Sequence, residues 1–273
     1  MIDFVHSRRS KHRYCLPPLI EWRTIQTSAR FMNLNSAAIT DIGRVRRQNE
    51  DRFVCSKTDG TYGVADGIGG LPAGALAAQT AVDSWIELLE SAEVEQAAQL
   101  IPLIEEINLR VFTLGEDISM ETGIGSTLTA GVVSGDRLLI AHVGDSRCLR
   151  ITENHVSCIT TDHSVENDIK RRRDQGETID VDDRYMQALT RCIGQPGTPE
   201  VDVHTQPLTP GDIYLFATDG ITRVVSESEL AKLLHRPIPL TERLALVVEL
   251  ANDRGGPDNA TAVALEILPP ASS

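Results

Sequence analysis

Two spacings of apolar residues alternate along the chain from Ala37 onward, one of every second residue and one of every third to fourth. AAITDIG reads as a strand ending near Asp41, and RFVCSKTDGTYGVAD as two strands around a hairpin turn at Asp59-Gly60. Residues 72–94 place Ala78, Val82, Trp85, Ile86 and Leu89 on one helical face, and Leu100, Ile104, Ile107, Val111 and Leu114 repeat the pattern in a second helix. A run of strands follows from Ser126 to Ile159, broken at Ser134-Gly135, Gly144-Asp145 and Glu153-Asn154, as suits an antiparallel meander. Ser164 caps a short helix stopped by Gly176, and the polar stretch 177–188 reads as a surface flap. DIYLFAT is a strand, Ser226 to Glu229 form a capping box, and Thr241 opens a helix burying Leu244, Val247, Val248 and Ala251. The last strand, NATAVALEI, carries Thr261, Val263, Leu265 and Ile267 on one face and Ala260, Ala262 and Ala264 on the other, so both faces are expected to be covered.

Sheet packed on sheet with helices outside is the arrangement these elements predict. No linker or repeat interrupts residues 35–267, so 35–268 are expected to form a single domain followed by a short tail at 269–273. Residues 1–34 form a basic N-terminal extension. Its first thirty-one residues carry Arg8, Arg9, Lys11, Arg13, Arg23 and Arg30 against Asp3 and Glu21, a net +4 that leaves −17 for the remainder. It has no apolar core of a secretory signal, and is read as a disordered tail, an organelle-type presequence, or sequence upstream of a natural start at Met32, the last being favoured.

The overall charge of −13 disfavours general affinity for nucleic acid or anionic membrane, which needs clustered Lys and Arg. No stretch approaches the roughly 20 apolar residues needed to span a bilayer. Five cysteines, at 15, 55, 148, 158 and 192, form no CxxC pair and fit reduced thiols, so a soluble cytoplasmic protein is expected. Cys148 and Cys192 are expected to be small buried hydrophobes rather than redox switches, and His142 to be a core residue.

Candidate chemistry sits where strands end. VADGIGG at 64–70 and FATDGIT at 216–222 each run from an apolar strand into an Asp-Gly step, and GGPDN at 255–259 adds a third acid. If Asp66, Asp219 and Asp258 meet, their mutual repulsion requires positive charge between them. Oxygen-only ligands select hard cations, so a pair of Mg²⁺ or Mn²⁺ ions is predicted. Such a pair ionises a bridging water and clamps a phosphoryl group, which points to a phosphate ester as substrate. Arg46, four residues before Glu50 in GRVRRQNED, is the candidate fork for phosphate oxygens, in competition with Arg44 and Arg47. Asp-Gly is above all a turn signal, and for Asp59-Gly60 the turn reading stands.

GRVRRQNED at 43–51, VADGIGG, GSTLT at 125–129, HVGDSR at 142–147, TTDHS at 160–164, LTRCIG at 189–194, FATDG and GGPDN together resemble, in their order, the PP2C (PPM) family of metal-dependent protein serine/threonine phosphatases, in its compact bacterial form. The resemblance runs from about residue 38 to 267. It implies an α+β fold, a four-layer α-β-β-α sandwich with two central antiparallel sheets. It implies further that Asp66 bridges two Mn²⁺ or Mg²⁺ ions and orients the attacking water, with the Gly67 carbonyl as another ligand. Asp219 and Asp258 then complete one ion, Glu50 and Asp51 serve the other directly or through water, and Arg46 binds phosphate. Asp145 matches a residue that, with Asp219, holds a third and weaker ion in bacterial members. Residues 165–188 match the variable flap, and Asn259 a residue that orients its loop.

The reaction so implied is hydrolysis of phosphoserine or phosphothreonine by a metal-bridging hydroxide. The expected partners are phosphorylated proteins, with a cognate Ser/Thr kinase whose action is reversed, and the chain is expected to act as a monomer. Ile68 departs from members that carry a general-acid His at that position. His163 is then a candidate acid by residue type only, against a capping or packing role. The cluster Lys170–Arg173 is a solvated helix face or a substrate-docking patch. The alternative function is a non-catalytic phosphoprotein-binding regulator of the same fold; a nuclease is disfavoured by the acidic surface.

Overall fold

The computed structural model describes residues 33–69, 71, 73–119, 121–153 and 155–269. Residues 1–32 of the basic extension and 270–273 of the tail lie outside the described residues. The strands pair antiparallel in two five-stranded sheets. The first has the order β1 (Asn33–Asp41), β10 (Ala260–Leu268), β9 (Ile213–Ala217), β6 (Arg147–Ile151), β7 (Val156–Cys158). The second has β2 (Arg52–Ser56), β3 (Thr61–Ala65), β4 (Leu128–Ser134), β5 (Arg137–Val143), β8 (Asp202–Pro207).

Strand alternation explains why these sheets stack. One face of β3 and β5 presents Tyr62, Val64, Leu138 and Ile140, which meet Cys148, Tyr214, Phe216, Val263 and Leu265 of the first sheet in an inner core. The opposite face of the second sheet, with Ala65, Leu128, Ala130, Leu139 and Ala141, packs under α1 (Gly74–Glu90) and α2 (Ile101–Ile118) through Trp85, Ile104 and Ile107. Trp85 is fully buried and donates its indole N–H to Thr61 Oγ1 at 2.8 Å, so its polar atom is satisfied inside the core. On the far side, the small Ala260, Ala262 and Ala264 face of β10 admits Leu244, Val247 and Val248 of α6 (Leu240–Asp253). The four-layer α-β-β-α sandwich is therefore present, with both faces of β10 covered.

The strand run from Ser126 to Ile159 differs from a plain meander. At Gly144-Asp145-Ser146 the chain leaves the second sheet and enters the first. Gly144 holds φ 118, a conformation that disfavours side chains, and a Cβ there would lie 2.5 Å from Thr127 Cγ2. The remaining helices are α3 (Val165–Asp174), α4 (Asp219–Thr222) and α5 (Glu227–Leu234). Ser164 caps α3 by accepting from the Asn167 amide, as its sequence predicts. Residues 177–188 are irregular apart from one short turn at Asp183–Tyr185. No helix among the described residues is long and apolar enough to cross a membrane.

Candidate active site at one end of the two sheets

Each predicted aspartate is delivered by the end of a strand or the turn that follows one. Asp51 immediately precedes β2 and Asp66 immediately follows β3, both in the second sheet; Asp219 follows β9 and Asp258 precedes β10, both in the first. Asp145 lies in the crossing between the sheets. The structure brings all five together: Asp66 feels the charges of Asp51, Asp219, Asp145 and Asp258. Burial, reinforced by those neighbours, holds the Asp66 carboxyl well above the ordinary carboxylate range. Burial likewise pushes Asp51 up to about 6 and, with Asp145 beside it, Asp219 up to about 7. Asp145 is also raised by burial, against the opposing pull of Arg223.

Hydrogen bonds hold this arrangement in place. The Asp66 amide donates to Thr127 Oγ1 at 2.9 Å, and the Asp66 carbonyl accepts from the Thr127 amide at 2.8 Å and from Ser126 Oγ at 2.9 Å. Thr218 Oγ1 donates to Asp51 Oδ2 at 2.9 Å. Asn259 ties the 42–50 loop to the start of β10. Its side chain accepts from the Glu50 amide at 2.8 Å and donates to the carbonyls of Ile42 and Gln48, each at 2.9 Å. Gly67 donates its amide to the Glu50 carbonyl, and a Cβ on Gly67 would lie 2.4 Å from the Gly74 carbonyl, so only glycine lets α1 approach so closely. The Glu50 carboxylate lies beside Gly74, toward the start of α1.

Two guanidinium groups enter the acidic cluster. Arg46 Nη2 is 2.6 Å from Asp258 Oδ2, and its fork lies over Gly69, where a Cβ would meet Nη1 at 2.6 Å. Arg223 bridges Asp145 at 2.7 Å and Asp219 at 3.0 Å. Neither Arg223 nor Thr218 is prominent in the sequence. The available signal was spacing, because Arg223 stands four residues after Asp219 at a helix start.

His163 is turned into the fold. Its Nδ1 accepts from the Gly144 amide at 3.1 Å, so the ring proton is on Nε2, which lies 3.2 Å from Asp202 Oδ2. Its own amide donates to the Gly144 carbonyl at 2.7 Å, so His163 clips the turn that carries Asp145. His142 is fully buried; its Nε2 bonds the Thr161 carbonyl at 3.0 Å, and burial lowers its pKa to about 3. Ile68 packs against Gly125.

Among the described residues, no three His, Cys, Asp or Glu side chains already stand around one point as an ion cage. Asp258 is drawn to Arg46, and Asp145 with one oxygen of Asp219 to Arg223. The other oxygens tell more about the donor set: Asp51 Oδ1 and Asp219 Oδ1 are buried without a hydrogen-bond partner. A buried carboxylate oxygen lacking a donor is costly, and a hard divalent cation is the partner that suits it. The residues present therefore fit Mn²⁺ or Mg²⁺.

Comparison with known proteins agrees with this chemistry. The family model described as Protein phosphatase 2C matches residues 36–255. The serine/threonine phosphatase stp of Listeria welshimeri is 32% identical over 237 residues, covering 83% of this chain and 93% of that protein. The solved serine/threonine phosphatase of S. agalactiae superposes with a TM-score of 0.77 at 27% identity, over 86% of this chain and all of that one. The catalytic domain of the serine threonine protein phosphatase PstP, solved in complex with 2 manganese ions, gives a TM-score of 0.72 at 28% identity, over 86% of this chain and 99% of that one. By family match, relatives and fold together, the chain belongs to the protein phosphatase 2C family, the metal-dependent serine/threonine phosphatases.

Proposed function

We propose that the protein hydrolyses phosphoserine and phosphothreonine in proteins, using two Mn²⁺ or Mg²⁺ ions. The observation that carries this reading is the pair of partnerless buried oxygens, Asp51 Oδ1 and Asp219 Oδ1, among carboxyls of raised pKa where both sheets end. Asp66, Asp219 and Asp258 are the proposed ion ligands, together with the Gly67 carbonyl and, directly or through water, Glu50 and Asp51. When bound, the ions ionise a water near neutral pH and neutralise charge on the phosphoryl group. Asp66 would hold the ions and orient the attacking water from a main chain fixed through Thr127 and Ser126. Arg46 is half exposed at the rim and leaves Asp258 to grip phosphoryl oxygens with both arms of its fork. In the overall reaction a water oxygen would replace the serine or threonine oxygen on phosphorus, the water losing a proton to solvent and the departing oxygen gaining one from solvent at the rim. Ile68 has no proton to give, and His163 is engaged with Gly144 and Asp202.

The counterpart we propose for this activity is a Ser/Thr kinase of the same cell, which would make the phosphoproteins that a serine/threonine phosphatase consumes. The test is turnover of a phosphopeptide with Mn²⁺, with Mg²⁺ and with excess chelator. Activity is expected with the ions and not with chelator, and Asp66→Ala and Asp219→Ala are expected to abolish it while the circular dichroism spectrum is kept. Turnover that survives chelation would refute the mechanism. Phosphopeptide binding by the ion-loaded protein with no turnover would instead identify a non-catalytic regulator.

A further inference from the structure

Asp145 and Asp219 reach the site from different elements, the sheet-crossing turn and the first residue of α4, yet they converge on a cation the chain already owns. Arg223 Nη2 meets Asp145 Oδ2 at 2.7 Å while its Nε lies 3.0 Å from Asp219 Oδ2. The planar fork offers separate N–H groups to the two carboxylates, and a guanidinium does not lose its proton in a protein. Neither end of this bridge is loose. The Arg223 amide donates to the Asp219 carbonyl at 2.9 Å, so the same helical turn sets both residues, and His163 clips the Asp145 turn through Gly144. Asp162, the other acid facing Arg223, is held by Arg147 through bonds of 2.8 and 2.6 Å.

A third divalent ion shared by Asp145 and Asp219 would compete with Arg223 for the same two carboxylates, and would sit against a fixed positive charge. We propose that Arg223 takes the place of that third ion: it joins Asp145 to Asp219 as a built-in cation, and the chain binds two divalent ions rather than three. The proposal rests on the two-ion reading above and replaces the expectation that Asp145 is an ion ligand.

The test is Mn²⁺ stoichiometry, measured on the full chain by equilibrium dialysis with metal quantified by atomic emission. Two ions per chain are expected for the wild type and for Asp145→Asn. Arg223→Met keeps an unbranched stem but removes the charge, and is expected to admit a third, weaker ion that Arg223→Met/Asp145→Asn loses again. Three ions on the wild type falling to two in Asp145→Asn would overturn the proposal, as would two ions on a folded Arg223→Met. If Arg223→Met does not fold, the wild-type and Asp145→Asn counts decide the matter alone. Fewer than two ions on the wild type would overturn the two-ion reading itself, an outcome distinct from three.

Discussion

Asp66 and Thr127 are joined in both directions, the Asp66 amide donating to Thr127 Oγ1 at 2.9 Å and the Thr127 amide to the Asp66 carbonyl at 2.8 Å. Thr127→Val keeps the branched shape but leaves the Asp66 amide without its acceptor. A loss of about 1–3 kcal/mol is expected in denaturant unfolding, with a fall in kcat. Thr127→Ser, which retains the hydroxyl, is expected to stay near wild type. Equal behaviour of the two variants would show that the hydroxyl does not position Asp66.

Arg46 is the arginine of its loop that meets an acid of the site. Arg46→Ala is expected to lower kcat/KM on a phosphopeptide by roughly ten- to a hundredfold, about 1.5–3 kcal/mol for lost charge-assisted hydrogen bonds. Arg44→Ala and Arg47→Ala serve as controls. Unchanged efficiency in Arg46→Ala, with loss in either control, would reassign the phosphate contact.

Asn259 is nearly buried and makes one accepted and two donated bonds to the 42–50 loop. Asn259→Ala strands the Glu50 amide and leaves two carbonyls short of a donor. Faster hydrogen exchange at the Glu50 amide and a stability loss of about 2 kcal/mol are expected. Protection equal to wild type at that amide would contradict the tethering role.

The raised acids carry a pH signature in ion-free protein. Asp219 holds its proton up to about 7 in the folded state, against an unfolded value near 3.8, so between those pH values the folded state binds more protons. Stability contributed by this group therefore falls as pH rises through that window, by at most about 1.4 kcal/mol per unit. Asp219→Asn removes the titration and also relieves Asp66 of a neighbouring charge, which acts in the same direction, while buried histidines such as His142 act equally in both proteins and cancel. In chelator, the stability of Asp219→Asn relative to wild type is expected to climb from about pH 4 to about pH 7 and then level off. A flat difference would show that Asp219 ionises normally.

Much of the fold was legible because burial imposed a pattern. The split of β10 into a branched face and an alanine face predicts a strand covered on both sides, and the apolar runs before Asp66 and Asp219 mark those two acids, whereas Asp258 is marked by GGPDN and Asp51 and Asp145 only by the family resemblance. What escaped lacked such a pattern. β8 is a half-exposed edge strand of mixed Asp, His, Thr and Gln, so no alternation marks it. The four residues of α4 are too few for a helical period. The change of sheet at Gly144 looks in sequence like any turn between strands, since only the partners of β5 and β6 distinguish it. Arg223 was hidden for a related reason: its role depends on Asp145, which is distant along the chain.

The site straddles the sandwich, with Asp51 and Asp66 bordering strands of one sheet and Asp219 and Asp258 bordering strands of the other. Any cation these acids share is thus also a rivet between the two halves of the molecule, and its binding free energy adds to cohesion. Metal starvation would therefore do more than silence the catalyst, because it would loosen the seam and open the chain to proteolysis.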